Sequence, residues 1–190
     1  ITSLPAYEVA RLGIIRTFQR TAVFPHLTVL ANVLIGQHRL LRASVLDILL
    51  GRQSVRAEED ETRRRALAAL ERVGLAYRAD EPAGSLPYGE QRLLGIAIAL
   101  SAEPRLLLLD EPAAGLTHAE TYRLAELIRA LPSQGITVLL VEHKVRMVMA
   151  ISDRVVVVAH GRKVAEGSPQ EVARHPEVIR VYLGDEDVVA

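Results

Sequence analysis

Residues 105–112 read Arg-Leu-Leu-Leu-Leu-Asp-Glu-Pro, so two carboxylates, Asp110 and Glu111, follow a short apolar run and a proline follows them. A run of that length between breakers predicts a strand buried on both faces, with both acids emerging at its carboxyl end. Ligands of open α/β sheets bind outside that edge. An acidic pair placed there can hold a cation with one carboxylate and polarise a water with the other. A plain strand followed by a polar turn would account for either acid alone. A second apolar run at 136–141 leads to Glu142 and His143, which places an imidazole at a comparable strand end.

The elements that must position these groups are legible from residue 105 onward. A helix with the apolar stripe Leu124, Leu127, Ile128 and Leu131 follows the first strand, and Pro132 and Gly135 end it. After the second strand comes a short helix through Met147 and Ile151, then a third apolar strand at 155–158. Strand, helix, strand, helix, strand predicts a parallel sheet with right-handed crossovers. His160-Gly161-Arg162 predicts a tight turn into 163–165, and 168–183 a helical tail broken near Pro176.

Upstream, 26–102 is mostly helical in pattern, with Thr28 as a candidate N-cap and a break at 80–85. The acids at 58–61 precede Arg63, Arg64 and Arg65 at helical spacing, pairing 59 with 63, 60 with 64 and 61 with 65. A solvated helix face explains those arginines better than a nucleic-acid patch. The expected organisation is a core strand region over 1–25, a helical subdomain over 26–102, a parallel-sheet core over 103–167 and a helical tail over 168–190.

Composition bounds the function. Half of the 190 residues are hydrophobic (49%), enough for a core, and Lys plus Arg balance Asp plus Glu at 23 each. Such a balance provides no field for nucleic acid or an anionic membrane. The absence of cysteine excludes disulfides and thiolate metal sites. No apolar run approaches a membrane span, and the first residues lack a signal-peptide pattern. Work at a membrane is therefore expected to go through a partner.

Four segments in order resemble the motifs of ATP-binding cassette ATPases. The string at 106–112 is similar to the Walker B strand, which places Asp110 where magnesium is held through water and Glu111 at the general base. Leu86-Pro87-Tyr88-Gly89-Glu90-Gln91-Arg92 stands in the place of the signature motif and runs into the apolar helix 93–100. A helix that starts at a glycine offers backbone N–H groups and a positive dipole end to a phosphate; a glycine turn before a buried helix describes the same residues. The resemblance implies that Leu86, Gly89 and Glu90 face the γ-phosphate of a nucleotide held by a second subunit. His143 matches the switch histidine, and Arg16-Thr17-Phe18-Gln19 resembles the Q-loop, which implies a role for Gln19 with magnesium, water and the membrane domain.

Within that family the match is closest to ATPases of high-affinity branched-chain amino-acid importers and their urea and amide relatives. It is carried by 10–19, 24–38, 85–97, 106–116 and 175–186, and so by essentially the whole chain. The implied fold is an α/β, P-loop NTPase-like nucleotide-binding domain with a parallel-sheet core and a helical subdomain. The implied cofactors are ATP and Mg2+. The implied partners are a second ATP-binding subunit, either an identical copy or a paralogue, and transmembrane permease subunits at the cytoplasmic face of the inner membrane, with no nucleic acid.

The chain contains no G-x-x-x-x-G-K-[ST] string, and the only Gly-Arg-Lys, at 161–163, falls in the predicted hairpin turn. The expectation is an N-terminally truncated cassette, its carboxyl-terminal three quarters, inactive alone and with apolar sheet and an unpaired edge exposed. Pro87 and Tyr88 replace residues common in the signature, and Thr117 fills the D-loop position, where Thr117-His118-Ala119-Glu120 also spells a capping box. Two functions stay open: the ATP-hydrolysing subunit of an importer, or a catalytically silent cassette that serves as a docking module.

Overall fold

The computed structural model describes residues 1–17, 23–40 and 53–180. Three parallel strands form its main sheet: β1 (Ile14–Arg16), β2 (Leu106–Asp110) and β3 (Thr137–Val141), in that spatial order. Leu106 pairs with Ile14 on one side and Thr137 on the other, and Asp110 lies opposite Val141. The acid pair and the Glu142-His143 loop therefore leave the same edge of the sheet from adjacent strands.

The helices are α1 (Ala6–Arg11), α2 (Val29–Gly36), α3 (Gln53–Arg72), α4 (Tyr88–Ser101), α5 (His118–Ala130), α6 (Val145–Ile151), α7 (Pro169–Ala173) and a single turn, α8 (Pro176–Val178). Thr28 caps α2 by accepting the Ala31 N–H at 3.1 Å. The capping box at Thr117 is formed: its hydroxyl accepts the Glu120 N–H while Glu120 accepts the Thr117 N–H at 2.8 Å. Ser168 and Glu171 repeat the arrangement at α7. Such caps satisfy N–H groups that have no partner within the helix.

One core joins α2, α3 and α4 to the sheet through Val33, Leu70, Leu94, Leu100, Leu107 and Leu109, each almost fully buried. Leu124, Ile128 and Leu131 of the predicted α5 stripe enter it, and Leu127 packs at its margin. On α3, Glu61 takes both Arg64 and Arg65, and all three side chains keep contact with solvent.

The third apolar strand corrects the βαβαβ expectation. β4 (Val155–Ala159) pairs antiparallel with β5 (Arg162–Gly167) in a separate two-stranded sheet. The tight turn joining them has His160 and Gly161 both at positive φ, 49° and 74°, the backbone of a two-residue hairpin turn matched to strand twist. A run of four valines favours any strand and says nothing about its neighbour; the tight turn expected at 160–162 is what selects the antiparallel pairing. Burial on both faces also fails in part. In β2 Leu107 and Leu109 are buried while Leu106 and Leu108 on the other face are half-buried, and the exposure is larger at Leu139 and Val141 of β3 and at Val156 and Val158 of β4. A small second core of Val155, Ala165, Val172 and Val178 closes the hairpin against α7 and α8, and α6 bridges the cores, with Met147 in the first and Val148 against the second.

Candidate functional site

At the carboxyl edge of the sheet, β2 delivers Asp110 and then turns. Glu111 has φ +44°, a left-handed backbone that costs a non-glycine residue about 1–3 kcal/mol. Its N–H is fixed by the Val141 carbonyl at 2.8 Å, so the turn is tied to β3. Both carboxylates remain about one-third exposed. His143 Nδ1 lies 3.8 Å from Glu111 Oε1 and 3.8 Å from Glu142 Oε2, with its ring mostly in solvent. Sequence reasoning expected Asp110, Glu111 and His143 to leave the carboxyl ends of neighbouring strands, and β2 and β3 do lie side by side with Glu111 and His143 at that edge.

Asp110 has a partner that sequence reasoning did not assign. Arg16 at the end of β1 donates from Nη2 to Asp110 Oδ2 at 2.9 Å. The arginine was noted only as a mark of resemblance; its contact is 94 residues away in sequence and follows from β1 pairing with β2. Thr17 extends that pairing, its N–H donating to the Leu108 carbonyl at 2.9 Å. Gln19 lies outside the described residues.

Glu142 is the second residue overlooked. Its carboxylate is fully buried and accepts three backbone N–H groups, from Ala113 at 2.7 Å, His143 at 3.0 Å and Lys144 at 3.2 Å. The available signal was its position: a carboxylate ending a strand beside the strand of the acid pair.

The signature-like turn, at the N-terminus of α4, packs against the loop after β2 at Gly115 and the start of α5 at Glu120. Leu86 is buried in the core, and its carbonyl accepts from the Gln91 amide at 2.9 Å. Gly89 is buried beneath α5, where an added Cβ would run into the Glu120 carboxylate and make the end of that side chain shift. The Tyr88 ring lies over Gly115, and a side chain there would meet its Cε1 at 2.8 Å. Glu90 pairs with Arg78 at 2.9 Å and accepts from the Tyr77 hydroxyl at 3.3 Å. Bonds from the Thr117 N–H and hydroxyl hold the Glu120 carboxyl below the usual carboxylate range.

The family described as ABC transporter matches residues 4–114, and the family described as branched-chain amino acid ATP-binding cassette transporter matches 162–188. The high-affinity branched-chain amino acid transport ATP-binding protein LivG of Escherichia coli (strain K12) is 43% identical over 186 residues, which are 97% of this chain and 73% of that protein. The chain belongs to the ATP-binding cassette transporter family. BraF of Pseudomonas aeruginosa, named for the same transport, is also 43% identical with the same coverage, and a probable LivG of Archaeoglobus fulgidus is 34% identical over 98% of this chain and 72% of its own length.

The fold of this cassette matches as well. A crystal structure of an ATP-binding cassette of an ABC transporter in its ADP conformation superposes with a TM-score of 0.78 at 31% identity, covering 97% of this chain and 74% of that one. A nucleotide-free cassette gives 0.77 at the same identity. The cassette is thus α/β, with a parallel sheet and attached helices, and its family binds nucleotide and works with permease subunits. Among its described residues no helix is long and apolar enough to cross a membrane.

A divalent cation suits these residues as one member of a shared ligand set. Among the described residues no group of three or more His, Cys, Asp or Glu could hold a metal unaided. Magnesium characteristically takes one or two carboxylates with waters and substrate phosphates. A partly exposed Asp110, with one oxygen on Arg16, meets that description.

Proposed function

We propose that this cassette is the ATP-hydrolysing subunit that energises import of branched-chain amino acids, or of related amides or urea, at the cytoplasmic face of the inner membrane. The observation that carries the chemistry is the meeting of Glu111 and His143 at the ends of adjacent parallel strands, beside Asp110. The relatives named for branched-chain transport supply the solute.

In this reading Glu111 orients the attacking water and takes its proton, which requires a carboxylate that is partly solvated and fixed in place. Its tied, left-handed backbone supplies the fixing. His143, in solvent beside it, donates a hydrogen bond to an oxygen of the γ-phosphate and stabilises charge that grows during transfer. Asp110, through water, and Gln19 would hold Mg2+, which when bound offsets phosphate charge. Arg16 keeps Asp110 aimed along the edge. Leu86, Gly89 and Glu90 form the turn presented to the nucleotide of a second ATP-binding subunit, identical or paralogous; buried Leu86 and Gly89 shape it, and the α4 N-terminus provides the donors. The organisation that fits is a sheet core, a helical subdomain over 26–102 ending in this turn and helix α4, and a helical tail, docked on transmembrane permease subunits.

The test is uptake of radiolabelled leucine by proteoliposomes containing the chain assembled with its permease and ATP-binding partners. Glu111→Gln is expected to abolish ATP-driven uptake while nucleotide binding persists. Unchanged uptake and turnover in that variant would overturn the assignment.

A further inference from the structure

We propose that Glu142 and Lys144, the two neighbours of His143, form a clamp that sets His143 against Glu111; the proposal rests on the hydrolytic reading above. Both are positioning residues, and neither is assigned a contact with the nucleotide.

Glu142 grips one end of the loop that follows the acid pair. Its bond to the Ala113 N–H, at 2.7 Å, crosses from the end of β3 to a point two residues beyond Glu111. The same carboxylate, with no exposed surface, also closes on the His143 and Lys144 N–H groups. A buried carboxylate is tolerated when several donors satisfy it, and charge-assisted bonds of this kind are short and strong. Lys144 grips the other end. Its Nζ donates to the Leu116 carbonyl at 3.2 Å and to the Thr121 hydroxyl at 3.0 Å.

The two grips are opposite in kind. A carboxylate takes an amide at 113 and an ammonium takes a carbonyl at 116, so neither can substitute for the other if the loops slide. Between them stands His143, its side chain 64% exposed and its Nδ1 3.8 Å from both the Glu111 and the Glu142 carboxylate. Its position is thus governed by backbone anchors on either side more than by bonds to its ring. The loop bearing Glu111 and the loop bearing His143 are fastened into one unit, and a displacement of about 1 Å between reacting groups can cost roughly 100-fold in rate.

The experiment compares Glu142→Ala, Glu142→Gln, Lys144→Met and Lys144→Arg with Glu111→Gln and His143→Ala in the reconstituted transporter. Glu142→Ala and Lys144→Met are expected to lower kcat for ATP by roughly 10- to 100-fold, with KM within about twofold. Lys144→Arg retains most of the rate because it preserves the donor, and Glu142→Gln falls between. Hydrogen exchange gives an independent reading. In Glu142→Ala the Ala113 amide should exchange about tenfold faster, while the Glu111 amide, bonded to Val141, keeps its protection. If Glu142→Ala does not fold, Lys144→Met and Glu142→Gln carry the test, since Lys144 is only half-buried and Glu142→Gln keeps the side chain's shape. Normal kcat in the clamp variants, alongside loss in the Glu111 and His143 controls, overturns the clamp and leaves the hydrolytic reading intact. Turnover indifferent to both controls overturns that reading and the clamp with it.

Discussion

The helical layer is built from less uniformly apolar sequence than the outer strands, yet it buries its apolar residues more completely. α2, α3 and α4 bury Val33, Leu70 and Leu94 completely against one another and the sheet. β3 and β4 bury one face and leave Leu139, Val141, Val156 and Val158 more than half exposed. A helix pair closes a core through contacts of its own stripe, whereas a strand in a parallel sheet needs layers on both faces. Local hydrophobicity therefore measures capacity for burial, and topology decides whether the capacity is used.

The sharpest way to break this comparison is to truncate one leucine from each region of the 190-residue chain. Leu94→Ala should lower unfolding stability by about 3 kcal/mol through lost contact and a residual cavity, while Leu139→Ser should change it by less than about 0.5 kcal/mol. Equal losses in urea titrations would mean that the β3 face is covered in solution. Next in size is Gly89→Ala, where helical layer meets sheet loop. Its Cβ collides with the Glu120 carboxylate, so the melting midpoint should fall, and the fall should shrink in a Glu120→Ala background; a shift indifferent to residue 120 would refute the contact.

Smaller again, Thr28→Ala should cost the helical layer about 1 kcal/mol by removing the cap on α2. Hydrogen exchange at the Ala31 amide would localise that loss. Smallest is a pH effect. Hydrogen bonds from the Thr117 N–H and hydroxyl hold the Glu120 carboxyl below the usual range, and those from Ser168 do the same for Glu171. A carboxyl whose pKa is depressed by folding stabilises the folded chain above its unfolded pKa and loses that contribution as pH falls through the folded value. Melting midpoints should therefore be insensitive to these groups above about pH 5 and decline below about pH 4.5. A chain with Thr117→Ala and Ser168→Ala should show a shallower decline, and both caps being exposed keeps the difference small.

Much of this was legible from residues near one another. Thr28, Thr117 and Ser168 sit three residues before the groups they cap, and the α5 stripe repeats at helical spacing, so a short window contains the whole signal. Asp110, Glu111 and His143 were legible because each lies at the end of an apolar strand or within two residues of it. The pairing of Arg16 with Asp110 and the grip of Glu142 on Ala113 span 94 and 29 residues. They depend on which strand lies beside which, a choice that the alternation of side chains does not encode. For β4 the local turn at 160–162 was legible and the expected place in the parallel sheet was not, because four valines suit a parallel interior and an antiparallel hairpin alike.

The backbone at residue 111 has an implication for how this position can change. With φ at +44°, the chain would rest more easily on glycine or asparagine. Substitutions accumulating under a demand for folding alone would drift toward those residues. On the proposed role of Glu111 as the base, a long acidic side chain holds that place against the drift because chemistry, and not architecture, asks for it.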